Sequence, residues 1–249
     1  MAKLILRVLF LLVGSFGWSQ QVLAVDVDEI TQTVTKLAGN NGSPDTIKMF
    51  VLMTVLTLIP TLLILTTSFT RIIMVLSFVR SSLGTQQTPP NQVLIGIALF
   101  LTFFIMQPVY TEINNVAIQP LMKDEISQSQ AIGLAEKPMK TFMLKETREK
   151  DLELFLKNSG KDQVKDAQAL PLTVVIPAFL ISELRTAFSI GFLIFIPFLI
   201  IDMAVSSILM SMGMFMLSPV MISLPFKLLL FVLVDGWYLV VESLVRGFH

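Results

Sequence analysis

Six charged side chains lie in or beside strongly apolar stretches: Glu183, Arg185, Asp202, Lys227, Asp235 and Glu242. A charge at a bilayer centre costs about 2.5–3.5 kcal/mol even on insertion scales, so each of these groups needs a partner or water. Glu183 and Arg185 stand two apart, and a helix does not face such residues toward each other. Each therefore wants its own partner, on another helix or on another chain. Two readings stay open: structural ion pairs within one bundle, or contacts between subunits along a water-lined route. Asp202 and Asp235 are the only candidate catalytic pair. Two buried Asp can share a proton, as an intramembrane protease or a carrier's proton relay requires. Val234-Asp235-Gly236 lacks the preceding Gly that the protease class carries. The chain has no P-loop, GxGxxG, HExxH or G-x-S-x-G. It has no Cys, and its one His is His249. We assign no catalytic residue, no metal ligand and no cofactor.

Methionine is the second unusual feature. Of 14 Met, those at 203, 210, 212, 214, 216 and 221 fall close together. Met212, Met214 and Met216 flank Gly213 and Phe215, and Ser218-Pro219 closes the run. Flexible, polarisable Met repacks around changing shapes. A ring of such loops would seal a pore and still yield to a passing chain. Ordinary core filling is the plainer reading, and clustering in a Gly- and Pro-bounded loop favours a gate. Pro60, Pro108, Pro171, Pro177, Pro197, Pro219 and Pro225 sit in or at the ends of apolar segments, where each frees a carbonyl. In lipid those groups need neighbouring helices or water.

The elements that must position these groups are helical. Hydrophobic residues make up 54% of 249 and charged residues 14%, against about 25% charged in ordinary soluble domains. The net charge is zero, so no electrostatic footprint for nucleic acid exists. Residues 1–24 read as a secretory signal: Lys3 and Arg7, an apolar stretch from Val8 to Trp18, and a small residue at Ala24. Residues 25–48 are polar. A first hairpin occupies 49–110, with spans from Met49 to Phe69, kinked at Pro60, and from Gln92 to Tyr110. Between them Arg71 and Arg80, without acids, mark a cytoplasmic loop by the positive-inside bias. Residues 111–169 form an extracytoplasmic helical insertion. Phe142, Leu152, Phe155 and Leu156 are its apolar face, helical around Leu144 to Lys157. Residues 170–249 are the second hydrophobic region, with the Met-rich loop near 210–219. One helix from Leu170 to Leu209 would be about 60 Å, twice the hydrocarbon thickness. It therefore reads as two segments, Leu172 to Leu184 and Ala187 to Leu209, turning near Glu183 and Arg185. The last apolar segment is Pro225 to Val245. The fold class is all-α: membrane-type hairpins plus the insertion.

The stretch Pro177-Ala-Phe-Leu-Ile-Ser-Glu-Leu-Arg-Thr-Ala-Phe-Ser-Ile-Gly-Phe192 resembles the signature of the FliP family of flagellar type III export proteins. Pro197-Phe-Leu-Ile-Ile-Asp-Met203 is similar to a second family signature. Ser218 to Trp237 and Thr70 to Arg80, with the following Thr-Pro-Pro-Asn-Gln, match as well. Ser189 stands where the signature usually has a charged or amide residue, and Phe215 interrupts what is often a run of three Met. The resemblance implies a non-enzymatic subunit of the bacterial inner membrane, reaching the periplasmic side within the flagellar basal body. It implies several copies, about five, in a helical ring with FliQ and FliR, joined by FlhB. Unfolded flagellar export substrates pass through the centre. A gasket falls on Met214, Phe215 and Met216. Glu183 is expected to contact a neighbouring copy or FliQ, and Phe142 and Phe155 to form contacts between copies. The alternative from the residues alone is an ion or solute carrier using Asp202 and Asp235.

Overall fold

The computed structural model describes residues 44–85, 87–159 and 167–248, so the signal-peptide reading of 1–24 and the polar segment before Pro44 lie outside the described residues. The described residues are helical, without strands. Helix α1 spans Pro44–Thr66 and α2 Phe69–Ser82; α3 runs Asn91–Ile113 and continues through a π-helical turn, Asn114–Ile118, into the short α4, Gln119–Met122. Helices α5, Gln128–Glu146, and α6, Glu149–Asn158, make up the insertion. The 40-residue α7 covers Leu172–Ser211, followed by α8, Pro219–Leu233, and α9, Gly236–Arg246.

Several boundaries differ from the sequence reading. Helix α1 continues through Pro60, and the chain bends at Thr67-Ser68, where the end of α1 and α2 meet at 79°. Threonine hydroxyls make that break tolerable: Thr67 Oγ1 donates to the Leu63 carbonyl, and Thr70 Oγ1 to that of Ile64, which the bend has cut from its helical amide. The Arg71–Asn91 stretch is not a loop up to Ser82 but helix α2. Its Ile72, Val75, Leu76 and Val79 are wholly buried, a helical spacing that packs chiefly on α7. Arg71 thus drops out of the loop-charge asymmetry, leaving Arg80 alone to carry it.

The expected turn near Glu183 and Arg185 is absent, and α7 continues as one helix through Pro177 and Pro197. The length argument failed because the first part of α7 is enclosed by α2, α5 and α6, so bilayer thickness does not limit it. The insertion is likewise two helices, broken at Thr147-Arg148, and it packs back onto α7. Ser127 starts α5 with a capping box: its hydroxyl accepts from the Gln130 amide while the Gln130 side chain accepts from the Ser127 amide. The last apolar segment also splits, with α8 and α9 bent by 61° at Val234-Asp235. Two described helical stretches, Asn91–Met122 and Leu172–Ser211, are long and apolar enough to cross a membrane, or up to four if each bent pair is one span.

Candidate functional site

The deepest charged cluster centres on Arg71, which α2 carries into the core beside Ile72. Its Nε donates to Glu183 Oε2 at 2.9 Å, one terminal nitrogen reaches Glu183 Oε1 and Glu146 Oε2, and the other donates to the Gly247 carbonyl at 3.0 Å. The Phe248 ring covers the guanidinium at 3.8 Å, a cation–π contact. Arg71 thereby joins α2, α5, α7 and the segment after α9. Glu183 is fully buried, so this arrangement compensates a charge that would otherwise be untenable there. One turn of contact further, the Ser182 hydroxyl donates to Asp151 and accepts from the Arg148 amide, fixing α6 on α7.

Within the chain, Glu183 takes Arg71 as its partner. Phe142 is buried, against Phe179 at 6.0 Å and Phe248 at 6.2 Å. Phe155 is half-buried on α6. Arg185 is exposed and has no partner among the described residues. Sequence reasoning missed Arg71 by taking it for a loop cation. The signal was present: an Arg inside an apolar pattern of helical period, Ile72, Val75, Leu76, Val79.

The second cluster ties α7 to α8. Lys227 Nζ donates to Asp202 Oδ2 at 2.6 Å, and the Ser223 hydroxyl donates to Asp202 Oδ1. Lys227 is nearly inaccessible. Asp235 is exposed at the α8–α9 turn, in left-handed backbone with φ of 50°. It lies about 12 Å along α8 from Lys227 at ~1.5 Å per residue. The structure therefore gives Asp202 a cation and a hydroxyl in place of a second Asp, and the proton-sharing pair is not assembled. Among the described residues no group of His, Cys, Asp and Glu could hold a metal ion.

Beyond this pair lies the Met-rich turn. Helix α7 runs to Ser211, two residues into the expected loop, and ends in a Schellman motif: Gly213 donates to the Met210 carbonyl and Met214 to that of Leu209. Gly213 has φ of 72°, which Gly adopts without strain. The turn projects Met212, Met214, Phe215 and Met216 outward, with Phe215 78% exposed and Met216 fully so. Four large apolar side chains at one exposed tip are an apolar patch that its own chain leaves uncovered.

A helical chain with long apolar helices and an apolar turn of this kind has the make-up of a membrane protein. A family model described as the FliP family matches residues 52–244, and the chain belongs to that family. Similar proteins include the flagellar biosynthetic protein FliP of Bacillus subtilis strain 168, 63% identical over 203 residues, covering 82% of this chain and 92% of the relative. The flagellar biosynthetic protein FliP of Aquifex aeolicus strain VF5 is 52% identical over 213 residues, covering 85% and 89%. That of Pectobacterium carotovorum subsp. carotovorum is 50% identical over 218, covering 87% and 84%.

Proposed function

We propose that this chain is a core subunit of the flagellar export apparatus, acting as part of a gated conduit for unfolded flagellar proteins. Membership of the FliP family and the names of its relatives support the flagellar role. The observation that carries the gate is the exposed turn of Met212, Met214, Phe215 and Met216, borne on the tip of the α7–α8 hairpin. Several copies brought around an axis would place these flexible side chains together as a compliant seal. The Asp202–Lys227 pair holds the two arms of each hairpin beneath that seal. The chain is a passive element with no nucleotide motif, so the energy for export enters elsewhere.

In this reading about five copies associate with FliQ and FliR, with FlhB alongside, in the bacterial inner membrane and toward the periplasm at the basal body. The exposed apolar face of α3, including Phe100, Phe103 and Phe104, provides the surface for those contacts. Native mass measurement of the detergent-solubilised protein, expressed alone and with the small membrane partners, tests this assembly. A discrete ring-sized oligomer that gains mass with partners is expected. A monomer or dimer indifferent to them would contradict it.

A further inference from the structure

Arg185 has no partner among the described residues, whereas the other two charged residues of its helix, Glu183 and Asp202, are paired. Its surroundings change abruptly along α7. On the N-terminal side Ser182 and Glu183 are buried against Arg71, Arg148 and Asp151. On the C-terminal side Phe188, Phe192 and Leu193 are 56–69% exposed. About 39 Å of helix separates Arg185 from Ser211 at ~1.5 Å per residue, enough to cross a hydrocarbon core of ~30 Å. The one acid in that stretch, Asp202, is already paired with Lys227. Arg185 thus sits where the protein-covered part of α7 gives way to an uncovered one.

A cleft of about 300 Å³ opens between α2 and α7 on the same side, lined by Phe78, Phe188, Gly191, Phe192, Phe195 and Leu199. Phe188, Phe192 and Leu199 follow Arg185 at i+3, i+7 and i+14, one face of the helix. Gly191 makes the floor: a Cβ there would lie 2.4 Å from the Phe78 ring, so only glycine lets Phe78 settle onto the α7 backbone. Phe78 and Phe188 pack at 5.1 Å.

We infer that this is a binding site for an anionic glycerophospholipid, with the phosphate on the Arg185 guanidinium and an acyl chain in the phenylalanine cleft. The argument is charge complementarity at one end and a wholly apolar cleft at the other, in the order in which a phospholipid presents headgroup and tail. A guanidinium offers several donors to a phosphate, and basic residues beside membrane helices attract anionic lipids.

The test uses the full-length chain in nanodiscs of equal phosphatidylglycerol and phosphatidylcholine, with retained lipid read by native mass spectrometry. The wild-type chain retains phosphatidylglycerol in preference. Arg185→Gln lowers the phosphatidylglycerol-to-phosphatidylcholine ratio about fivefold, the equivalent of the ~1 kcal/mol typical of one basic side chain near an anionic surface. Arg185→Lys keeps the preference, which separates charge from folding. Leu199→Trp, filling the cleft, lowers retention of both lipids. An unchanged ratio in Arg185→Gln overturns the site. So does a second protein chain found against Arg185 with no lipid retained, which would make it a protein–protein contact.

Discussion

Arg71 and Glu183, 112 residues apart in sequence, meet through two nitrogens and both carboxylate oxygens at the centre of the molecule. Neither side chain is reachable by water, with 5% and 0% of their surfaces exposed. The pair pins the middle of α7 to α2, and Glu146 and the Gly247 carbonyl complete the guanidinium's bonding. Breaking one side leaves an uncompensated buried charge. Arg71→Leu, which strands Glu183, should therefore cost about 3–5 kcal/mol, and Glu183→Ala, which leaves Arg71 paired with Glu146, less. Arg71→Lys should recover only part of this, since an ammonium cannot bond in the same fork. Thermal denaturation in detergent reads these differences, and variants melting within a degree of wild type would refute the role assigned to the pair.

The Asp202–Lys227 pair should respond unequally. Lys227 has 3% of its side chain exposed and Asp202 26%, so Asp202 can still reach water when its partner is lost. Asp202→Ala should cost about 3 kcal/mol by stranding the ammonium, and Lys227→Met, which keeps the apolar stem, clearly less. Asp235→Asn, at an exposed turn, should stay within about 0.5 kcal/mol. Equal losses from Asp202 and Asp235 substitutions in vesicle transport by the isolated chain would revive the carrier.

Two glycines give a paired control on packing. A Cβ at Gly236 would come within 2.3 Å of the Phe231 ring, whereas nothing lies within 4 Å of one at Gly96. Gly236→Ala should cost about 1–3 kcal/mol and straighten or loosen the α8–α9 bend. Gly96→Ala, in the second turn of α3, should be neutral or stabilise by up to about 1 kcal/mol. Melting temperatures that move together in the two variants would show that the close approach at Phe231 does not decide the outcome.

The sequence revealed some of this and hid the rest for identifiable reasons. Helical class, the apolar spans and the Met-rich turn are local properties: composition, run length, and a Gly-Pro-bounded cluster display them directly. That Glu183 needs a partner also followed from local spacing. Which partner it takes did not, because Arg71 lies more than a hundred residues away and only tertiary packing brings it in. The two-segment reading of α7 failed for the same reason. It measured the helix against a bilayer, whereas α2, α5 and α6 cover its first part and relieve that constraint. Phe142 was legible as part of an apolar face, but not what covers it: Phe179 and Phe248 lie far away in sequence.

In the proposed function the α7–α8 turn seals a pore. Replacing Met212, Met214, Phe215 and Met216 together by Ala leaves the Schellman motif and the Asp202–Lys227 pair untouched, so assembly should proceed. The decisive measurement is ion conductance of the assembled complex in planar bilayers or vesicles, with native mass as the check on assembly. The account predicts a large rise in leak with unchanged oligomer mass. A correctly assembled variant that stays as tight to ions as wild type would contradict it.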